Sequence, residues 1–364
     1  MSNEHKYQVV IDWIKQQIAQ GVFHKGDRLL PEHELADKFG LSRQTVRKAT
    51  GDLVSEGILV RVQGSGTYIG STVSPRKRRV YGRIVIISTY VDSYIFPPTL
   101  KGIQDVLNGA GYMTQTSFTG DSVWQERNIL THLIADDNFD GIIVEAAKSG
   151  LPNPNADLYR KLQTMNVPII CFNASYPQLG LPCVRIDDFE VGRDAARMLI
   201  EAGHEHIGLI MKSDDGQSHL RYAGYMNALL EKNIQAQSRH TVMVDTETFG
   251  NMSAIGGYIL ERLKGTTACL CYNDDAAWQL ISILKDAGIR VPEDYSVVGI
   301  DDAESASPHA QTLTSFSHPK EELGRRTAEN LLEMIENPGF DGNYIFRAES
   351  RVRESVAAPG RGIE

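Results

Sequence analysis

The chain has 364 residues, 41% hydrophobic and 23% charged, an ordinary globular composition that argues against wholesale disorder and leaves room for two or three cores. No apolar run approaches the roughly 18 residues a membrane span needs, and the opening MSNEHKYQVV lacks the basic-then-apolar layout of a secretory leader. The expectation is a cytoplasmic protein with no membrane partner. The net charge of -9 looks unfavourable for nucleic acid, but of the 37 Lys+Arg and 46 Asp+Glu, residues 1–79 hold 13 and 8, leaving 24 and 38 for the rest. That split suggests a basic reading head on an acidic body.

From Tyr7 to Gly57 apolar positions recur at helical spacing, as in Val10, Ile11, Ile14 and Ile18, and imply three short helices. A β-like piece, Ile58 to Ile69, follows and contains the turn-forming GSG of Gly64 to Gly66. STVSPRKRRVYG then concentrates Arg76, Lys77, Arg78 and Arg79 in a polar stretch, an exposed linker whose basic run either faces phosphates or is simply solvated. Beyond Val80 the runs RIVIIST, DGIIVEA, VPIICFN, HIGLIM, TACLCYN and YSVVGID alternate with helical stretches such as EVGRDAARMLIEAG and DAAWQLISILKDAG. Continuous apolar strands need both sheet faces covered, so the pattern predicts buried parallel strands with crossover helices, ended by Gly111, Gly203 and Gly288. About 280 residues exceed one ordinary open sheet, which points to two lobes with a ligand crevice at the strand carboxyl ends. Cys171, Cys183, Cys269 and Cys271 lie in or beside apolar runs without a C-x-x-C pair and read as buried reduced thiols. The expected division is a DNA-binding head at 1–70, a basic linker at 71–80, and a two-lobed effector-binding and dimerisation body at 81–364.

Within the head, ELADKFGLSRQTVRKATGDLVSEG places a helix, a turn at Gly40 and a second helix for which Ser42 is a fitting N-cap. That second helix presents Arg43, Gln44, Thr45 and Arg47 in its first turns while Val46, Ala49 and Leu53 face inward. A recognition helix enters the major groove N-terminus first, where Arg pairs with guanine and Gln with adenine. LVRVQGSGTYI suits a two-stranded wing whose glycines let backbone approach phosphate. In the plainer reading Thr45 packs and Arg47 pairs with Asp52 or Glu56.

Through GLSRQTVRKA and GSGTYI, residues 5 to 70 resemble the GntR-type winged helix-turn-helix. The resemblance implies DNA contact by Arg43, Arg47 and wing Gly66, with Ser42, Gln44 and Thr45 as companions. One departure stands out: the chain reads LLPEHELA where that family reads LPSERELA, so His33 replaces a DNA-contacting arginine and implies a different contact. The body, from Tyr81 to Ser355, resembles LacI/GalR-type regulators and, through them, periplasmic sugar-binding proteins, on IDDFEVGRDAARMLIEAGHEHIGLI, HLRYAGYMNAL, CLCYNDDAAW and VPEDYSVVGIDD. The pairing of head and body, with STYVDSYIFP, GIIVEAAKSG and CFNASYPQLG, resembles the arabinose-responsive repressors of the AraR type. The fold class implied is an α+β winged helix-turn-helix plus α/β, two-lobed doubly wound parallel sheets of periplasmic-binding-protein-like type. The function implied is a homodimeric repressor bound to double-stranded operator DNA and released by a small sugar, L-arabinose being favoured. A corepressor-dependent regulator, or a sugar-binding protein without operator function, are the alternatives.

A sugar offers hydroxyls that want donors and acceptors, and C–H faces that lie well on aromatic rings. Arg221 lies after HIGLIM, Asn273 and Asp274 end TACLCYN, and Asp301 ends YSVVGID, where a doubly wound sheet points residues into its crevice. The resemblance implies effector contact by Arg221, Asn273 and Asp301. From the other lobe, Glu145 and Lys148 end DGIIVEAAK, Asn173 ends VPIICFN, and Tyr94 and Phe96 follow RIVIIST, all placed to close over a sugar. Each has a plainer alternative: Asp301 and Asp302 as loop caps, Phe96 and Trp278 as core aromatics, Glu145 and Lys148 as a surface pair. His204 and His206 bracket Glu205 without a third ligand and read as a helix-end turn, not a metal site. Since no Walker loop, G-x-S-x-G, H-E-x-x-H or G-x-G-x-x-G occurs, neither catalysis nor a cofactor is expected.

Overall fold

A computed structural model of the chain describes residues 3–19, 22–24, 26–55, 57–62, 66–70, 81–136, 138–304 and 311–363. The chain divides into two compact units, Met1–Val80 and Tyr81–Glu364. In the first, α1 (Asn3–Ala19), α2 (Glu32–Phe39) and α3 (Arg43–Ser55) are followed by a hairpin of β1 (Leu59–Val62) and β2 (Gly66–Ile69). Helical spacing brings Val10, Ile11 and Ile14 of α1 against Val46, Ala49 and Leu53 of α3, and Leu35, Leu59 and Ile69 close the core. Gly40 ends α2 at φ 61°, the left-handed cap that glycine adopts without steric cost. The hairpin pairs in antiparallel register from Leu59↔Ile69 to Val62↔Gly66. The rest of the expected GSG turn, Gly64 and Ser65, and the basic run Arg76, Lys77, Arg78 and Arg79 lie outside the described residues.

The second unit begins with β3 (Arg83–Ser88), α4 (Phe96–Gly109), β4 (Met113–Phe118), α5 (Val123–Asp136), β5 (Gly141–Val144), α6 (Ala156–Thr164), β6 (Ile169–Phe172) and β7 (Cys183–Ile186). It continues through α7 (Asp188–Glu201), β8 (Ile207–Lys212), α8 (Gly216–Glu231), β9 (Thr241–Val244), α9 (Thr246–Phe249), α10 (Gly256–Arg262), β10 (Ala268–Cys271), α11 (Asp274–Asp286) and β11 (Ser296–Val298). β12 (Ser315–Phe316), α12 (Lys320–Glu336), β13 (Tyr344–Phe346) and β14 (Ser350–Arg351) complete it. One parallel sheet has the order β13-β7-β6-β5-β3-β4 and the other β11-β10-β8-β9, so the body is two doubly wound lobes. The chain passes between the lobes around Asp187, between Ile300 and Lys320, and between Phe346 and Ser350. Gly111, Gly203 and Gly288 all have positive φ just beyond the helices they terminate. The four cysteines are buried, and no described helix is long and apolar enough to cross a membrane.

Each lobe packs one pair of helices through reciprocal glycines. A Cβ on Gly102 of α4 would sit 2.1 Å from the Glu321 carbonyl oxygen, and one on Gly324 of α12 would sit 2.0 Å from that of Thr99. Gly192 of α7 and Gly224 of α8 repeat the device, at 2.2 Å from the Arg221 oxygen and 2.0 Å from the Phe189 oxygen. Backbone atoms cannot rotate away as a side chain can, so Gly224→Ala forces the two helices apart. The expected loss is at least ~1–3 kcal/mol, the usual cost of overpacking, read as a lower denaturant midpoint; an unchanged midpoint would show that the helices separate freely.

Candidate functional site

In the head, Ser42 Oγ accepts the Thr45 N–H at 3.1 Å and caps α3. Its hydroxyl also shares a 2.8 Å hydrogen bond with Thr45 Oγ1. Arg43, Gln44, Arg47 and Lys48 are exposed along the first turns, whereas Thr45 is half-buried. Arg47 Nε lies 3.0 Å from Glu32 Oε2, and Arg61 of the hairpin reaches the other oxygen at 3.1 Å; Glu56, one of the partners expected for Arg47, lies outside the described residues. Glu32 therefore fixes α3 and the wing to one carboxylate. Gly66 has φ 134°, and a Cβ there would meet Arg28 Nε at 3.0 Å. His33 is half-exposed, with Nε2 4.0 Å from Glu34.

In the body, a cavity of about 280 Å³ opens between the lobes, near the lower end of the ~300–1,000 Å³ common for small-molecule sites. Its position follows from topology. Strand order reverses between β3 and β5 in one sheet and between β8 and β10 in the other, and ligands bind outside the strand carboxyl ends at such switch points. Thr89 and Glu145 follow β3 and β5, Lys212 ends β8, and Tyr272 and Asn273 follow β10; all line the cavity. So do Tyr94, Phe96, Asn173, Arg221 and Asp301, which brings seven of the eight sequence candidates together. Lys148 is not among the lining side chains. Its Nζ bridges to Asp214 at 3.1 Å and Glu247 at 3.3 Å in the facing lobe, so Glu145 and Lys148 do not form the alternative surface pair.

Four of the eight described non-glycine residues with positive φ line this cavity: Tyr94, Asp121, Asn173 and Asp301. Each costs of order 1–3 kcal/mol and persists only where its surroundings over-determine it, a pattern concentrated at functional sites. The surroundings here are buried and polar. Arg221 is buried, its Nε donating to Asp188 Oδ1 at 2.9 Å and its Nη1 to the Tyr272 carbonyl at 2.6 Å. Asp301 Oδ2 accepts from Tyr94 Oη at 2.6 Å, while Oδ1, 3.5 Å from Arg221 Nη2, has no hydrogen-bond partner among the described residues. Asp302 instead bridges to Arg353 and, at 3.6 Å, to Arg351. Trp278 packs against the cores of both lobes, edge-on to Tyr94, and Phe96 serves both core and cavity wall.

Several site residues escaped the sequence reading. Lys212 is buried and reaches Asp121 of the opposite lobe at 2.8 Å and Asp215 at 3.1 Å; these carboxylates raise its pKa against the desolvation that lowers it. Thr246 Oγ1 donates across the cleft to Asp121 at 2.5 Å, and the Gly150 N–H reaches the Asp214 carbonyl at 3.0 Å. Lys212 ends β8, whose apolar run is visible in the sequence, so the rule that found Asn273 and Asp301 finds it as well; Asp121 and Thr246 lie just beyond β4 and β9, edge strands that the sequence reading did not show. His204, by contrast, is a buried structural residue, its ring nitrogens 2.8 Å from Thr267 Oγ1 and 3.0 Å from the Ala357 carbonyl, while His206 is exposed.

Burial pushes the Glu145 carboxyl up to about 7, although hydrogen bonds from Asn173 and Thr89 oppose the rise. The unfolded chain releases this proton near 4.5 and the folded one only near 7, so Glu145 lowers stability progressively as pH rises through that window. Glu145→Gln is therefore expected to gain stability relative to the parent chain between pH 4.5 and 7, by up to about 3 kcal/mol, and to level off above. Melting curves across pH check it; a pH-independent difference would reject the assignment.

The sequence matches two family models, the gntR family of bacterial regulatory proteins over residues 6–69 and a periplasmic binding protein-like domain over residues 196–356. It is 34% identical over 354 residues to the arabinose metabolism transcriptional repressor of Geobacillus stearothermophilus, covering 96% of each chain. With the repressor of the same description from Halalkalibacterium halodurans the identity is 33%, covering 97% of each. Among solved structures, the lac repressor dimer bound to operator and the anti-inducer ONPF superposes with a TM-score of 0.65 at 20% identity, covering 77% of this chain and 96% of that one. Over nearly its whole length, then, the chain belongs to the family of the arabinose metabolism transcriptional repressors, in which a GntR-type DNA-binding head precedes a LacI-like, periplasmic-binding-protein-like body.

Proposed function

We propose that the chain is a cytoplasmic, homodimeric repressor that holds operator DNA through its head and releases it when L-arabinose fills the cleft of its body. Arg43, Gln44, Thr45 and Arg47 read the major groove from a helix capped by Ser42, and Gly66 brings the wing backbone to phosphate. His33 makes a weaker contact than an arginine would. Residues 71–80 serve as the basic linker between the head at 1–70 and the body at 81–364, which also carries the dimer contacts. The role is one of binding, not catalysis.

The observation that carries the effector reading is the convergence of both sheets' switch points on one cavity lined by polar and aromatic side chains, in which Asp301 Oδ1 has no hydrogen-bond partner among the described residues. A pentose hydroxyl supplies that donor, Arg221, Asn173, Asn273 and Glu145 address the others, and Phe249, Tyr272, Tyr90 and Phe96 offer rings to the C–H faces. Lys148 acts at the rim by closing the lobes. A sugar touching both lobes favours the closed arrangement, and operator affinity falls by the sugar's differential affinity for the two states.

A duplex selected from a random pool by the purified protein supplies the operator. L-arabinose is expected to raise the melting point by mass action and to displace that duplex. A rise with a different sugar removes arabinose, and tighter DNA binding with sugar makes the ligand a corepressor. Arg43→Ala should weaken the selected duplex by roughly 10- to 100-fold, the worth of one bidentate base contact, while keeping the sugar-induced shift. Unchanged DNA affinity would sink the recognition-helix assignment.

A further inference from the structure

His318 lies in the middle passage between the lobes, two residues past β12, and lines the cavity although only 6% of its surface is exposed. Its Nε2 is 3.1 Å from Asn173 Oδ1, whereas its Nδ1 is buried and has no hydrogen-bond partner among the described residues. A relay fixes which nitrogen carries the proton. The Thr89 backbone N–H, which can only donate, gives its hydrogen to Glu145 Oε2 at 3.0 Å, and Asn173 Nδ2 donates to Glu145 Oε1 at 2.8 Å. Above about pH 7, where Glu145 is ionised and only accepts, its hold on the Asn173 NH2 turns the Asn173 carbonyl oxygen toward the ring. An oxygen accepts only, so Nε2 carries the hydrogen and Nδ1 of the neutral imidazole is a bare acceptor.

Resting on the effector reading above, we propose that His318 is a specificity residue whose Nδ1 accepts a hydrogen bond from one effector hydroxyl, its tautomer set by the Thr89–Glu145–Asn173 relay. Asp301 Oδ1 is a second acceptor at the same cavity without a hydrogen-bond partner among the described residues, so the two address a ligand rich in hydroxyl donors. A ligand group that only accepts would face two lone pairs. Burial keeps the ring neutral by pulling its pKa down to about 4, against the pull of Asp301 and with Lys320 and Arg221 adding to the fall.

Nitrogen-15 spectra of histidine-labelled full-length protein at about pH 8 test the tautomer before any sugar is added. The expected result is a His318 ring with Nε2 protonated and Nδ1 bare, a preference lost in Asn173→Leu; a ring protonated at Nδ1 would overturn the proposal. Because this arm needs no ligand, it is decided even if L-arabinose gives no calorimetric heat, which would count against the effector assignment instead. With L-arabinose bound, the Nδ1 resonance moves in the direction of hydrogen bonding. His318→Phe weakens L-arabinose by roughly 10- to 100-fold, since a hydroxyl is left without its acceptor. Among monodeoxy analogues, the one lacking that hydroxyl binds parent and variant alike; equal losses for every analogue would reduce His318 to a packing role and reject the proposal.

Discussion

A buried guanidinium organises the body. Arg221 projects from the second turn of α8 into the place where the first passage between lobes, the end of β10 and the end of β11 meet, and it touches Asp188, the Tyr272 carbonyl and Asp301, one from each. The Asp188 carboxylate is costly there: burial pushes it up to about 6 even with the arginine beside it. Removing one partner from such a buried set leaves an uncompensated charge, typically a loss of 3–5 kcal/mol. The set therefore fixes how the segments entering and leaving the second lobe are disposed, and Tyr94, donating to Asp301 from the first lobe, inherits that placement. A ligand that engages Asp301 Oδ1 or Arg221 acts on the structural joint itself.

At the opposite rim, contacts between the lobes are ionic and close. Lys148 and Lys212 meet Asp214 and Asp121 across the gap, and Gly150 approaches so closely that a Cβ would lie 2.9 Å from the Asp215 carbonyl carbon. Asp121 and Lys148 both sit at positive φ, so the first lobe holds strained backbone where it grips the second. Interlobe closure then balances strain and desolvation against a few charge-assisted hydrogen bonds. Such near-balance lets the modest free energy of binding one sugar shift the equilibrium between two arrangements.

How much of this was legible in the sequence follows from burial. β3, β5, β6, β8, β10 and β11 are buried on both faces and were visible as apolar runs. β4, β9 and β13 are sheet edges, exposed at Met113, Met243 and Ile345, and they were not; in β4 the polar Thr114, Gln115, Thr116 and Ser117 leave no apolar run. The same physics governed the sites. Strand-end residues such as Asn173, Asn273 and Asp301 could be placed by topology, and Ser42 by capping chemistry. Arg47's partner could not, because Glu32 lies 15 positions away on another helix, and the Lys148 bridges needed two lobes folded and closed. His318 follows β12, a strand of only two residues with no legible apolar run, and no motif marks it; only its orphaned nitrogen and the relay behind it do.

The head shows how an exposed ion pair can prepare a surface without competing for it. Glu32 holds Arg47 and Arg61, yet both arginines are largely open to solvent, and such pairs are worth about 0–1 kcal/mol. Exchange for a guanine edge or a phosphate is therefore cheap, while the long side chains are already oriented along α3 and the hairpin. Salt would weaken phosphate contacts far more than base contacts, so in the proposed function a pre-oriented Arg47 serves the reading of sequence more than overall affinity. In the proposed function, affinity comes from the basic head, selectivity from a few ordered side chains on α3, and control from a body whose joint and rim both respond to what lies between its lobes.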